Sequence, residues 1–156
     1  MDHSEFIVRE ADLKDLPILL DFEQEIIKVE RPFDPTIREG HVNYYDLKEY
    51  IEADYASVCV VEHQQKIVSS GYALRKEARS YLDHQSYAHL GFMYTVPDYR
   101  GLGINRLIIQ ALQDWARAND LTEIRLTVYD ENEGAIKAYE KVGMEKHIIQ
   151  MRMRIK

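Results

Sequence analysis

The segment from Val96 to Arg106 combines residue types that suit an anion-binding loop. Gly101 and Gly103 let the backbone turn tightly and bring its N–H groups close to a ligand. An amphipathic helix is predicted to follow, and its N-terminus would add free N–H donors and the positive end of the helix dipole. These features predict a phosphate or pyrophosphate site. Arg100 and Arg106 could add charge or be solvated arginines, and the glycines could equally do no more than shape a turn.

Two nucleotide-binding motifs are excluded by spacing. A dinucleotide fingerprint requires G-x-G-x-x-G, but Arg106 occupies the third glycine position after Gly101 and Gly103. A P-loop requires a Gly-Lys-Ser/Thr ending, which this segment lacks. The predicted phosphate or pyrophosphate group would therefore belong to a ligand that is recognised by neither of these two motifs.

The elements on either side of this loop are predicted from hydrophobic periodicity. A strand runs from Ala88 to Val96 and stops at Pro97. A helix follows, because apolar residues recur on one face of a 3.6-residue period. They are Ile104, Leu107, Ile108, Ala111, Leu112 and Trp115. The loop thus joins a strand to a long amphipathic helix.

The remaining elements interleave strands and helices. Downstream, a strand with Ile124, Leu126 and Val128 precedes a helix opened by Asn132 and stopped at Gly143. Upstream, the patterns predict a strand over Phe6–Glu10, a helix from Asp12 broken by Pro32 and Pro35, a short helix over 45–55 and a hairpin of 57–62 with 66–74. The tail alternates at Ile149, Met151, Met153 and Ile155, which predicts a strand with one wet face. The predicted class is α/β or α+β around a mixed sheet.

Length, charge and cysteine usage restrict the class of protein. The 156 residues suit one domain over positions 1–156, and no apolar stretch approaches the ~18 residues of a membrane span. Twenty basic against 27 acidic residues give a net charge of −7, which argues against non-specific nucleic-acid binding. Cys59 lies in an apolar run and has no disulfide partner, which indicates a core residue and a cytoplasmic location. We therefore expect neither a membrane nor a nucleic acid as a partner.

Two motifs resemble those of the GCN5-related N-acetyltransferases (GNAT family). The core Arg/Gln-x-x-Gly-x-Gly/Ala is similar to Arg100-Gly-Leu-Gly103-Ile-Asn105, with Asn105 replacing a small residue. A second segment, Asn132-Glu-x-Ala-x-x-x-Tyr139-Glu-Lys-Val-Gly143-Met144, resembles the family pattern ending in Gly-Phe. The order of elements is also similar along nearly the whole chain.

The resemblance implies a fold, a donor and a set of binding residues. The fold would be a mixed, mostly antiparallel sheet flanked by helices, with a splayed strand pair that holds acyl-CoA. The donor would be acetyl-CoA, with the pantetheine arm on the strand from Met93 to Val96 and near Asn132, and the thioester sulfur near Tyr139. The coenzyme-binding residues would be Tyr94, Thr95, Val96, Arg100, Gly101, Leu102, Gly103, Ile104, Asn105, Arg106, Asn132 and Tyr139.

The resemblance also implies direct attack of an amine on the thioester, without an acyl-enzyme. Tyr139 would be the general acid, although its place on an inner helix face also fits plain packing. The base stays open among His89, Glu77, water-mediated Glu30 or Asp34, and none at all. Asp83, His84 and His89 lack further ligands in a matching set, so no metal is expected.

The acceptor and the assembly stay open at this level. Glu30–Asp34 and Tyr44–Tyr45 fall where the family builds its acceptor wall, but they could also form an ordinary polar loop. The acceptor would be a small amine, an amino acid or a peptide or protein amino group. A non-catalytic acyl-CoA sensor and a dimeric scaffold that uses the terminal strand are the competing interpretations, and a homodimer is compatible with either.

Overall fold

A single five-stranded sheet forms the centre of the computed structural model, which describes residues 4–156. The strands follow the order of the chain across the sheet. They are β1 (Phe6–Glu10), β2 (Ala56–His63), β3 (Lys66–Glu77), β4 (Ser86–Thr95) and β5 (Ile124–Arg125). The first four pair antiparallel, and β5 runs parallel to β4. The predicted mixed, mostly antiparallel sheet is confirmed.

Helices pack on both faces of this sheet. The α-helices of the described residues are α1 (Leu16–Glu30), α2 (Leu47–Glu52), α3 (Ile104–Ala118) and α4 (Glu133–Lys141). On one face, α3 buries Ile108 and Leu112 against Leu90. On the other, α1 and α2 bury an apolar cluster against Tyr72 and Phe92. Because both faces are covered, β2 is buried at every position from 56 to 61.

Gly71 in β3 lies directly beneath α3, with no room for a side chain. A Cβ there would stand 2.5 Å from Ile108 Cγ2 and 2.7 Å from Met93 Sδ. We expect Gly71→Ala to lower the free energy of unfolding by about 1–3 kcal/mol, because overpacking displaces the neighbouring side chains. Urea unfolding measures the change. Gly134→Ala in α4 is the control, since a Cβ there meets nothing within 4 Å; equal stability of the two variants would contradict this packing.

A β-bulge near the end of β4 changes which face of the sheet its side chains occupy. The pairing moves from Tyr72↔Gly91 to Ser70↔Tyr94, so β4 holds one residue more than β3 in this interval. Phe92 adopts φ 58°, a left-handed conformation that is rare for a bulky residue. As a result Phe92 packs on the α1–α2 side, whereas Met93 packs on the α3 side.

The strands β4 and β5 separate soon after they meet. Their ladder contains only Ala88↔Ile124 and His89↔Arg125. From Leu90 to Thr95, no other described strand pairs with β4 on the side that faces away from β3. The predicted splayed strand pair is therefore present.

Most predicted elements are confirmed, and two near the C-terminus differ. The strand predicted through Val128 ends at Arg125, because β4 and β5 diverge there. The strand predicted for the tail does not form in the structure, where residues 144–156 have no ladder. Alternation describes a chain that could be pleated, but a strand also needs a paired neighbour.

The described residues contain no helix long and apolar enough to cross a membrane. Cys59 is buried in the core between the sheet and α3, as predicted. Burial raises the pKa of its thiol to about 12. The thiol therefore behaves as a small core group and not as a nucleophile.

Candidate active site

The loop before α3 has the backbone geometry of an anion-binding turn. Gly101 and Gly103 adopt φ 78° and 77°, the left-handed region that side chains disfavour. Gly103 is the N-cap of α3 and supplies no side chain to the helix end. The first-turn N–H groups of α3 have no intrahelical acceptor, so the positive end of the helix is open to a ligand.

The two arginines of the loop occupy different surroundings. The Arg100 Nε donates to the Thr95 carbonyl at 2.9 Å, and its guanidinium lies 5.6 Å from the centre of the Tyr94 ring. Arg106 Nη2 instead donates to the Lys141 carbonyl at 3.4 Å, at the end of α4. Arg100 thus connects the loop to β4, whereas Arg106 connects α3 to α4.

The backbone of β4 presents polar groups to the gap between β4 and β5. Val96 N–H donates to the Val68 carbonyl at 2.9 Å, so the backbone groups of residue 96 face β3. Because alternate residues of a strand direct these groups to opposite neighbours, Met93 and Thr95 direct theirs into the gap. The backbone groups of Tyr94 face β3, as those of Val96 do, and its ring packs 4.7 Å from that of Phe22 on one face of the sheet. Therefore only part of the strand predicted to hold the coenzyme directs its backbone groups into the gap.

Helix α4 carries the other two predicted site residues. Asn132 caps the helix, with its Oδ1 accepting the Ala135 N–H at 3.3 Å. Tyr139 lies partly buried near the other end. Burial, and then the charge of Glu30, raise the pKa of Tyr139 to about 12. The phenol therefore keeps its proton throughout the neutral range and is available as a donor.

Two of the candidate bases, His89 and Glu77, lie outside the gap between β4 and β5. His89 is on β4 at the point where β5 still pairs with it, below the gap. Burial, and then the charge of Lys76, lower the pKa of His89 to about 4. Glu77 is exposed at the end of β3 remote from the Ser69↔Thr95 pair, on the order of 25 Å along the strand.

Asp34 is fully engaged in structural contacts. It accepts hydrogen bonds from Thr36 N–H at 2.9 Å, from the Tyr129 hydroxyl at 2.9 Å, and from the Thr36 hydroxyl and Arg152. The Thr36 hydroxyl and then Arg152 hold the pKa of Asp34 well below its usual range. These contacts join the turn after α1 to the segment after β5 and to the tail.

Glu23 was not singled out by the sequence, although an acid within the apolar face of α1 was a signal. Its side chain is fully buried, and Oε2 accepts the N–H groups of Tyr44 at 2.8 Å and Tyr45 at 2.7 Å. Glu23 therefore holds the loop that carries both tyrosines. Tyr129 was also missed, since residue type alone did not relate it to Asp34.

The residues considered for a metal serve other contacts. The His84 Nδ1 lies 2.8 Å from Asp83 Oδ1, and its Nε2 lies 3.2 Å from Glu123. Over residues 4–156, no group of three or more His, Cys, Asp or Glu side chains is arranged to hold a metal ion.

Comparison with known proteins identifies the family. The model of the acetyltransferase (GNAT) family matches residues 24–144, whereas no curated protein matches the chain by sequence. A tetramutant of the BH1408 protein from Bacillus halodurans is 21% identical, with a TM-score of 0.81 over 96% of this chain and 99% of that one.

Two further solved structures share the fold. A predicted acetyltransferase from Clostridium acetobutylicum, solved with acetyl-CoA, is 17% identical, with a TM-score of 0.72 over 96% of each chain. Glucosamine-6-phosphate N-acetyltransferase from Arabidopsis thaliana is 19% identical, with a TM-score of 0.67 over 97% of this chain and 99% of that one. Because the family model covers well over half of its length, the chain belongs to the GNAT acetyltransferase family.

Proposed function

We propose that this protein is an N-acetyltransferase, with residues 1–156 as its single domain, that transfers an acetyl group from acetyl-CoA to a primary amine. The observation that carries the proposal is the gap between β4 and β5, which ends at the open N-terminus of α3. A linear pantetheine arm fits hydrogen-bonding groups along a strand, and a pyrophosphate fits a helix N-terminus. The acetyl-CoA bound by the Clostridium acetobutylicum protein supports this choice of donor.

Different site residues would bind different parts of acetyl-CoA. The backbone of Met93 and Thr95 would bind the pantetheine arm, and Asn132 would contact it from α4. The amides of Leu102 to Arg106 would bind the pyrophosphate, with Arg100 adding charge at the strand end. Asn105 is partly buried in the first turn of α3, and its backbone amide is all that this role requires.

Tyr139 would protonate the departing thiolate. Its raised pKa keeps the phenol protonated at the pH where the amine attacks. Transfer is direct, so positioning of the amine and two proton movements account for the catalysis. No residue of the site is required to carry the acetyl group.

Calorimetric titration with acetyl-CoA, repeated with dephospho-CoA, tests the donor site. We expect saturable binding of acetyl-CoA. We also expect the protein to release free thiol from acetyl-CoA when a suitable member of a panel of primary amines is added. Absence of binding to folded protein would overturn the proposal. Binding without turnover of any amine would favour the alternative, a non-catalytic acyl-CoA sensor.

We also propose that the tail joins two copies into a homodimer. Ile149, Met151, Met153 and Ile155 are 84–91% exposed, and they alternate with Gln150, Arg152, Arg154 and Lys156. A second copy of the chain would cover these apolar side chains, while Arg152 stays paired with Asp34 of its own chain.

Light scattering is expected to give twice the mass of 18.4 kDa at micromolar protein concentration. Met151→Lys with Met153→Lys should shift the protein to monomer, because the charges would be buried in the interface. A monomeric wild type would contradict the homodimer while leaving the donor site untouched.

A further inference from the structure

His63 and Tyr99 form a side-chain contact between β2 and the segment that enters the proposed phosphate loop. His63 is the last residue of β2, and its Nδ1 lies 2.7 Å from the Tyr99 hydroxyl oxygen. Tyr99 ends a short 3-10 helix over Pro97–Tyr99, and Arg100 follows it directly. The contact therefore joins two segments that are 36 residues apart in the chain, at the point where the loop begins.

Aromatic packing encloses this contact. The ring of His63 lies 4.7 Å from that of Phe6 on β1, and the rings of Phe6 and Tyr99 meet edge to face at 6.1 Å. The His63 side chain is only 15% exposed. Phe6 and Tyr99 also pack against the core that α3 forms with the sheet. The hydrogen bond is thus shielded from water, and removing one partner would leave a poorly solvated polar group on the other.

The second partner of His63 determines the direction of the hydrogen bond. The His63 Nε2 lies 3.2 Å from Glu5 Oε2, and a carboxylate can only accept. In a neutral imidazole the ring hydrogen is therefore on Nε2, so that Nδ1 accepts and the Tyr99 hydroxyl donates. Glu5 thus selects the tautomer that receives the phenol.

This hydrogen bond restrains the loop from another part of the sheet. The N–H groups of Tyr99 and Arg100 and the Arg100 guanidinium donate to carbonyls of residues 95–97, so these contacts shape the turn locally. The Tyr99 hydroxyl instead reaches β2, which lies two strands away from β4 in the sheet. Tyr99 therefore holds the start of the loop against the sheet as a whole.

We propose that His63 and Tyr99 are positioning residues for the donor, which hold the loop in the conformation that receives the pyrophosphate. This inference rests on the proposed binding of acetyl-CoA. Gly101 and Gly103 give the loop its left-handed turns, but glycine also has the widest choice of other conformations. The contact needs no direct approach to the coenzyme, because fixing Tyr99 also fixes Arg100 and the residues that follow.

Restraint of the loop should act on donor affinity and not on the chemical step. When only part of a protein population has the binding-competent conformation, the observed Kd rises in inverse proportion to that part. Once acetyl-CoA is bound, the ligand itself orders the loop, and acetyl transfer no longer depends on His63. Loss of the contact should therefore raise Kd and KM for acetyl-CoA, while kcat at saturating acetyl-CoA is retained.

Tyr99→Phe and His63→Leu remove the hydrogen bond from either side. In each variant we expect calorimetry to show a Kd for acetyl-CoA about tenfold higher, with kcat at saturation within about twofold of the wild type. The double variant should bind about as well as either single one, because each substitution removes the same contact. His63→Asn should recover most of the affinity, since its amide oxygen can accept the Tyr99 hydroxyl near the place of Nδ1.

His84→Leu is the matched control. The His84 side chain is 14% exposed, close to the 15% of His63, and it likewise contacts carboxylates, those of Asp83 and Glu123. It lies in the loop between β3 and β4, about 30 Å along β4 from the phosphate loop. We expect urea unfolding to show a similar loss of stability, with unchanged acetyl-CoA affinity. Equal affinity in His63→Leu and His84→Leu, or a loss of kcat in place of affinity, would overturn the positioning role.

Relaxation of ¹⁵N nuclei in the ligand-free protein separates this inference from the proposed function. We expect order parameters of about 0.85 for the Gly101–Asn105 amides in the wild type and in His84→Leu, falling below about 0.6 in His63→Leu. Amides that stay rigid in His63→Leu would overturn the inference while leaving acetyl-CoA binding intact. Failure of the wild type to bind acetyl-CoA would refute the proposed function, and the donor role of the contact with it, whatever the order parameters.

Discussion

Replacing Tyr139 with phenylalanine is expected to slow acetyl transfer about 100- to 1000-fold, with acetyl-CoA affinity unchanged. The phenol is the proton donor proposed for the thiolate, and phenylalanine retains the aromatic ring while removing the hydroxyl. Because the pKa of Tyr139 is raised to about 12, its deprotonation should not limit the wild-type rate between pH 6 and 9. Steady-state thiol release over that range measures both effects.

Tyr81→Phe provides the matched control, since Tyr81 is 78% exposed and lies in the loop between β3 and β4. It should behave as wild type. An unchanged rate in Tyr139→Phe would remove the phenol from the mechanism. Equal losses of rate and of acetyl-CoA affinity would instead assign Tyr139 to binding.

Gly103→Val is expected to weaken acetyl-CoA binding about 100-fold, because the loop would lose the turn that opens the helix N-terminus. At φ 77° a β-branched residue is strained, so the backbone must rearrange where the pyrophosphate amides lie. Calorimetry measures the affinity, and urea unfolding reports any general loss of stability.

Gly40→Val separates strain from position. Gly40 has φ 85°, and a Cβ there meets nothing within 4 Å, so the substitution imposes a similar conformational cost outside the α3 loop. We expect it to lower stability without weakening acetyl-CoA binding. Wild-type affinity in Gly103→Val would mean that the phosphate loop is misplaced.

The two motifs could be recognised in the sequence because the backbone geometry of each is set by residues that are close together in the chain. The turn before α3 depends on the φ angles of Gly101 and Gly103. Helix α4 follows the Asn132 cap and ends at Lys141, two residues before Gly143, which adopts φ 101°. Hydrophobic periodicity likewise located α3, whose apolar face is long and regular. Short-range geometry of this kind is encoded in neighbouring residues.

Strand pairing was less predictable where it depends on distant segments. Alternation at Leu126 and Val128 continues the pattern of β5, yet the ladder with β4 ends at Arg125. The same pattern in the tail forms no ladder at all. Alternation records which side chains share a face, but not whether another strand lies alongside.

By itself the sequence determined the family motifs, the starts of α3 and α4 and the list of ionisable groups; only the tertiary structure decided where those groups lie. Glu30, Asp34, Glu77 and His89 all stood open as candidate bases. The fold binds Asp34 to Arg152 and Tyr129, leaves His89 partly buried where β5 pairs with β4, leaves Glu77 exposed at the remote end of β3, and leaves Glu30 partly buried at the end of α1. Proton transfer depends on distance and solvation, and both are set by segments that lie far apart in the chain.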